Sequence, residues 1–155
     1  MRPVHITSLD NTNDRISGEI LTVQYAAYLQ EAKLLGVTWF PPLDRTAADI
    51  ARSPDEFFGA YIGDVLVGVA SMELCNTQFG ASISSLTVLP QYQRRGVARE
   101  LMSTLLATAG SQVITVSTGR KNAPALTLYA AFGFVPVSYR TIGEEQLQLV
   151  ELRRD

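Results

Sequence analysis

The stretch Leu86-Thr87-Val88-Leu89-Pro90-Gln91-Tyr92-Gln93-Arg94-Arg95-Gly96-Val97-Ala98-Arg99 reads as a strand that runs into a short loop and opens a helix. The helix is marked by Val97, Ala98, Leu101, Met102, Leu105, Leu106 and Ala109, which recur at helical spacing until Gly110 stops them. An order of this kind calls for a layered packing in which helices cover a sheet. The surrounding sequence agrees. Phe57 to Ile62, a Gly63-Asp64 turn and Val65 to Leu74 form a β-hairpin, and the third strand, Ala81 to Leu89, ends at Pro90. Gln112 to Ser117 is the next strand, and Pro124 starts a helix with Ala125, Leu128, Tyr129 and Phe132 on one face before Gly133. Two strands, near Phe134 to Thr141 and Gln146 to Leu152, follow. Strands joined by helices late in the chain, with a hairpin before them, predict a mixed α/β sheet.

The first part of the chain is mostly helical in pattern. After a short strand at Pro3 to Leu9, Leu21, Tyr25, Tyr28, Leu29, Ala32 and Leu35 share a helical face up to Gly36. Trp39-Phe40-Pro41-Pro42-Leu43 breaks the chain before a shorter helix near Thr46 to Ala51. At 155 residues the expectation is one domain, residues 1 to 155, with no room for a second. No apolar run approaches the roughly 20 residues that span a bilayer, the start lacks the apolar stretch of a secretory signal, and one cysteine cannot form an internal disulfide. A cytoplasmic protein that engages no membrane is the expectation. The net charge of −2 supplies no general field for nucleic acid, so any anion site must be local.

Such a site is present in the pattern. The first amides of a helix lack intrahelical acceptors and lie at the positive end of its dipole, where they can bind phosphate oxygens. Gly96 removes a side chain where a pyrophosphate would press on the backbone, and Ala98 is small enough to continue that approach. Arg94, Arg95 and Arg99 add charge, Arg120-Lys121 follow from the end of the next strand, and Glu100 is the only acid between Gln91 and Lys121. A locally basic face on a weakly acidic chain points to a phosphorylated ligand. A second motif, Asn122-Ala123-Pro124-Ala125-Leu126-Thr127-Leu128-Tyr129-Ala130-Ala131-Phe132-Gly133-Phe134, begins a helix with a capping-type Asn and puts a tyrosine on its inner face.

Together these stretches resemble the GCN5-related N-acetyltransferase (GNAT) superfamily. Gln93-Arg94-Arg95-Gly96-Val97-Ala98 matches its Q/R-x-x-G-x-G/A acetyl-CoA loop, and Asn122 to Phe134 matches its N-x-x-A-x-x-L-Y-x-x-x-G-F element. The likeness covers residues 57 to 152, and Glu31 with Pro41-Pro42-Leu43 looks like one subgroup of small-molecule acetyltransferases. The resemblance implies an α/β (α+β) fold with a mixed, splayed sheet of about six or seven strands flanked by about four helices. It implies a splay between the Ala81 to Leu89 and Gln112 to Ser117 strands that holds the pantetheine arm, paired with main-chain groups near Leu86, Thr87 and Val88. The pyrophosphate would sit on the amides of Arg94 to Arg99, Val97 and Ala98 included; Asn122 would bond the arm, and Tyr129 would face the thioester sulfur. The co-substrate implied is acetyl-CoA, and the acceptor an amine on a small molecule or peptide.

The chemistry sets further requirements. A free alkylamine near pKa 10 is protonated at neutral pH and must lose its proton before it attacks. The oxyanion needs donors, which the Leu86 to Val88 backbone can provide, and the departing thiolate needs an acid. A phenol keeps its proton at pH 7, which suits Tyr129, although a core tyrosine would look the same. Many relatives carry a glutamate near the start of the strand preceding the loop, but Ser82 stands there. Glu73 and Glu31 are the candidate bases, directly or through water. Cys75 and His5 are single examples of their kinds, so Cys75 reads as a small apolar filler at a strand end, and no metal site is expected. Trp39, Phe40, Pro41 and Pro42 form either one wall of the acceptor pocket or plain core packing. The missing glutamate keeps open a non-catalytic acyl-CoA-binding module, a protein terminus remains an alternative acceptor, and sheet edges in the final strands suit a homodimer.

Overall fold

A computed structural model of the chain describes residues 3–74 and 80–155. Seven strands and four α-helices follow one another as β1 (Val4–Leu9), α1 (Asp14–Leu35), α2 (Ala47–Arg52), β2 (Glu56–Ile62), β3 (Val65–Leu74), β4 (Ala81–Val88), α3 (Val97–Ala109), β5 (Ile114–Gly119), α4 (Ala123–Ala131), β6 (Val135–Ile142) and β7 (Leu147–Arg154) among the described residues. The strands make one sheet in the order β1-β2-β3-β4-β5-β7-β6. Cys75, read as a filler at a strand end, lies outside the described residues.

Strand alternation divides the core between the two sheet faces. Phe58, Ala60 and Met72 pack with Leu101, Met102 and Leu105 of α3, whereas Phe57 and Val69 pack with Ile20 and Val23 of α1 and Ile50 of α2. Leu101, Met102 and Leu105 are fully buried, a burial that contributes roughly 1.5–3 kcal/mol each. Asn13 caps α1 by accepting from the Ile16 amide at 3.1 Å, so the helix begins seven residues before Leu21, where the apolar pattern became visible. Its inner face is also rotated from the expectation. Ile20, Val23, Ala27, Tyr28, Ala32 and Leu35 are buried, while Tyr25 and Leu29 are exposed.

The middle of the sheet positions the site. All strand pairs are antiparallel except β4 with β5, which are parallel and joined through α3. That pairing covers only Ala81↔Ile114, Ser82↔Thr115 and Ile83↔Val116. Beyond it, β4 stays with β3 as far as Val88, and β5 stays with β7 as far as Gly119, so the two strands part. Ser84 is the extra residue of a bulge, because Ser71 faces Ser85 and Met72 faces Ile83. A bulge bends its strand and increases its twist, which turns β4 away from β5 where the gap opens. At the closed end Gly80 has φ +79°, and an added Cβ would stand 2.1 Å from the Val113 carbonyl oxygen. The same oxygen accepts from the Ala81 amide at 2.7 Å and cannot move aside freely.

Candidate active site

Three of the four helix starts are satisfied by their own sequence. Asn13 caps α1, Thr46 and Asp49 form a reciprocal capping box on α2, and the Asn122 side chain accepts from the Ala125 amide at the start of α4. The start of α3 differs. Its cap is Gly96, at φ 83°, which offers no side-chain acceptor, so the amides of Val97, Ala98 and Arg99 have no cap partner among the described residues. Arg94 is also left-handed, at φ 63°, a conformation that costs a non-glycine residue about 1–3 kcal/mol. Left-handed turns of this kind swing backbone N–H groups toward one point and make an anion-binding concavity. A Cβ on Gly96 would meet nothing within 4 Å, so the space beside the turn is open, as an anion site at a helix start requires.

Two cavities meet in the gap between β4 and β5. One, of about 630 Å³, runs from this turn along Leu86, Thr87 and Val88 to Asn122 and Tyr129. The other, of about 270 Å³, lies between Phe40, Pro42, Ser84 and Leu149. Glu31, Leu86, Asn122, Ala125 and Tyr129 line both. Helical geometry explains how Glu31 comes to the junction. Ala27, Gln30 and Leu34 of α1 face the larger cavity, Tyr28 and Leu35 face the smaller, and Glu31 stands on the boundary between these stripes. Asn122 Nδ2 donates to Glu31 Oε1 at 3.0 Å, joining helices from opposite sheet faces where the strands have parted. Burial pushes the Glu31 carboxyl above the ordinary carboxylate range, against the Asn122 hydrogen bond, which lowers it. Tyr129 is 5% exposed, and burial, then the charge of Glu31, then Tyr28 raise its phenol well above the usual range. Tyr28 is shifted the same way by burial and then by Glu31.

The residues expected from sequence separate into two groups. Leu86, Thr87, Val88, Gln93, Arg94, Gly96, Val97, Ala98, Arg99, Asn122 and Tyr129 all line the larger cavity. Arg95 does not; its guanidinium lies 5.3 Å from the centre of the Tyr92 ring. Arg120 and Lys121 are also absent from the lining, with Arg120 placed 5.1 Å over the Tyr139 ring, so the cations of the cavity are Arg94 and Arg99. Glu73 is exposed and lines neither cavity. Phe40, Pro41 and Pro42 line the smaller cavity, but Trp39 is 47% exposed and does not. His5 pairs with Tyr61 in the β1–β2 ladder, away from both cavities.

Other residues of the site carried no motif. Tyr28 packs edge-on against Phe40 at 5.8 Å, and Gln24, buried on α1, donates to Ser85 Oγ at 3.1 Å, which pairs with Ser71 Oγ. Gln30 Oε1 accepts from Gln93 Nε2 at 2.6 Å and ties α1 to the turn. Buried polar groups at a helix–sheet contact would have been a usable signal for Gln24 had the face of α1 been phased correctly.

A mixed sheet of this topology is the fold of solved acetyltransferases. The chain belongs to the acetyltransferase (GNAT) family, whose model matches residues 23–134. It is 32% identical over 130 residues to the UPF0157 protein YqkA of Bacillus subtilis, a match that takes in 83% of this chain and 37% of YqkA. The chain therefore spans little more than a third of that relative's length. Over 119 residues it is 30% identical to the N-alpha-acetyltransferase RimI of Mycobacterium tuberculosis, covering 76% of this chain and 75% of RimI. The fold is similar to that of the ribosomal-protein-S18-alanine N-acetyltransferase of Escherichia coli, with a TM-score of 0.76 at 17% identity over 98% of this chain and 93% of that one. The PaiA N-acetyltransferase of Thermoplasma acidophilum, solved with coenzyme A, matches with a TM-score of 0.71 at 14% identity over 96% of this chain and 98% of that one. No helix among the described residues is long and apolar enough to cross a membrane.

Proposed function

We propose that the chain transfers the acetyl group of acetyl-CoA to a primary amine of a small molecule or peptide, by direct attack in a ternary complex. The observation that carries this reading is the meeting of a phosphate-suited cavity and a smaller acceptor cavity at Glu31 and Tyr129. Acetyl-CoA supplies a thioester whose carbonyl carbon forms the new C–N bond as its C–S bond breaks. The amides of Val97, Ala98 and Arg99, with Arg94 and Arg99, hold the diphosphate. The free edge of β4 from Leu86 to Val88 bonds the pantetheine arm, since the strand that would otherwise pair there has left.

Glu31 takes the ammonium proton, directly or through water. Its raised pKa brings it nearer neutrality, which suits a base. Tyr129 holds its phenolic proton at neutral pH and presents it to the sulfur that leaves, and the second proton lost by the attacking nitrogen restores the phenol, so the products are a neutral amide and a free thiol. Glu73 has no part in this scheme, being exposed outside both cavities. A single cysteine in 155 residues suits the reducing cytoplasm, which is the setting proposed, with the chain acting as one acetyltransferase domain.

The test is calorimetry with acetyl-CoA beside thiol release with an amine panel. Wild type should bind and turn over. Gly96→Glu puts a carboxylate before the α3 amides and should weaken binding by about 100-fold or more while leaving the far-ultraviolet circular dichroism unchanged. Affinity indifferent to that change would end the assignment, and tight binding without turnover of any amine would mark a non-catalytic acyl-CoA-binding module.

A further inference from the structure

The lining of the smaller cavity contains one acidic side chain, Glu31, and one cationic side chain, Arg140. Arg140 lies on β6 and is paired in register with Leu149 of β7; two residues on, Ile142 faces Leu147. All four line the cavity, so Arg140, itself exposed, stands at its rim beside Ile142, Leu147 and Leu149, which pack against Tyr28 and Leu35 of α1. A guanidinium in that position has a simple structural use, an ion pair with a neighbouring carboxylate. It has none. Among the described residues the ion pairs are Arg15–Glu19, Arg52–Asp49 and Arg153–Asp155, and the stacked arginines are Arg45, Arg95, Arg99 and Arg120. Arg140 is in neither set. Of the two acids at the β6–β7 turn, Glu145 is already engaged by the Thr38 amide and hydroxyl, and Glu144 forms no ion pair among the described residues.

From this we infer that the acceptor is an amine that also carries a carboxylate, an amino acid or a compound of that kind, with Arg140 as the residue that selects it. The inference rests on the acetyltransferase reading above. The cavity offers opposite charges at two points of its wall: a carboxylate at the junction with the coenzyme side, where the amine must come, and a guanidinium elsewhere on the wall. Phe40, Pro42, Leu147 and Leu149 line the apolar walls that the carbon skeleton would touch. Arginine suits a carboxylate because its planar fork can bond both oxygens, and a ligand with this charge order is oriented with its amine toward Glu31. A neutral amine of the same length loses that orientation, and a diamine meets like charge.

The experiment compares 4-aminobutanoate, 3-aminopropylphosphonate, butylamine and 1,4-diaminobutane as acceptors for wild type, Arg140→Gln and Arg140→Glu. Saturation-transfer NMR follows binding of the same four compounds in the presence of coenzyme A. Wild type should favour 4-aminobutanoate over butylamine in kcat/KM by about tenfold, the modest factor appropriate to an arginine largely in water. Arg140→Gln should erase that preference by lowering kcat/KM for 4-aminobutanoate about tenfold, to the level of butylamine, and Arg140→Glu should favour 1,4-diaminobutane. A preference for the phosphonate over the carboxylate, or equal use of the charged and neutral amines with no effect of Arg140→Gln, overturns the inference while leaving the acetyltransferase reading intact. The converse is distinguishable: 4-aminobutanoate that binds in an Arg140-dependent way but is never acetylated upholds the carboxylate site and defeats the transferase reading.

Discussion

Glu31 shows how one residue can be costly to the fold and useful to the site. Its carboxyl is disfavoured as an anion by burial, so its folded pKa lies above its unfolded one. The sign of the linkage follows. Its stability contribution is fully present below the unfolded pKa and is lost as pH rises through the folded value. Glu31→Gln keeps an oxygen that can accept from Asn122 yet never ionises, so at neutral pH the variant should melt higher than wild type. Its kcat/KM should nevertheless fall by about 10²–10⁴-fold, the range for loss of a positioned base. Wild-type kcat/KM should also fall on the acid side through a limb that lies above the ordinary carboxylate range, and that limb should be missing from Glu31→Gln. A melting curve and a pH–rate profile on the same preparations check both halves; a variant that is less stable and keeps the acid limb would make Glu31 a structural residue. Tyr129→Phe should keep coenzyme affinity and lower kcat by about 10²-fold. Because burial and the Glu31 charge hold the phenol protonated, rates should show no alkaline loss attributable to Tyr129 between about pH 7 and 9.

At the scale of elements, what the sequence made legible depended on whether an element is ruled by local rules or by its neighbours. β3 and α3 begin and end where apolar period and glycine punctuation put them, at Val65–Leu74 and Val97–Ala109. β5 runs Ile114–Gly119, shifted from the expected Gln112 to Ser117, because the Gln112 amide still bonds the Ala109 carbonyl and the far end is claimed by β7 at Thr118 and Gly119. Likewise nothing local says that β7 inserts between β5 and β6, which is why Arg140 could not be placed at the smaller cavity beforehand. The turn before α3 was legible because it depends on consecutive residues; Glu31 and Glu73 stood as equal candidates for a base, because only the packing of α1 brings the first to the gap and leaves the second exposed outside both cavities. Gly80 is the element-scale counterpart of these long-range demands. Gly80→Ala combines a positive φ with a Cβ 2.1 Å from the Val113 carbonyl oxygen, so it should cost about 3 kcal/mol or more. The loss should appear as a melting temperature lowered by about 6–12 °C. A shift within about 1 °C would mean that the closed end of the β4–β5 pair tolerates displacement.

For the whole molecule the decisive fact is that its sheet is joined at the middle by three residue pairs, while the strands on either side are paired over most of their length. The halves β1 to β4 and β5 to β7 are held across the gap mainly by helices and by the Asn122–Glu31 bond. A coenzyme arm laid between β4 and β5 would supply the missing strand and act as part of the fold. Binding to the folded state alone stabilises by mass action, about 2.7 kcal/mol at a hundred times Kd. For a chain of this length that corresponds to a melting point raised by about 5–10 °C with coenzyme A. The location of the effect is the sharper test. Backbone amides facing the gap, within Ser84 to Val88 on β4 and Ser117 to Gly119 on β5, should exchange with solvent deuterium at least about tenfold more slowly when coenzyme A is bound, whereas the β1–β2 ladder should change only by the global increment. Gly96→Glu at the same coenzyme concentration should remove both the melting shift and the local protection. Uniform slowing over every strand would mean that the ligand stabilises the fold without bridging the gap, and the open seam between β4 and β5 would then have no part in binding.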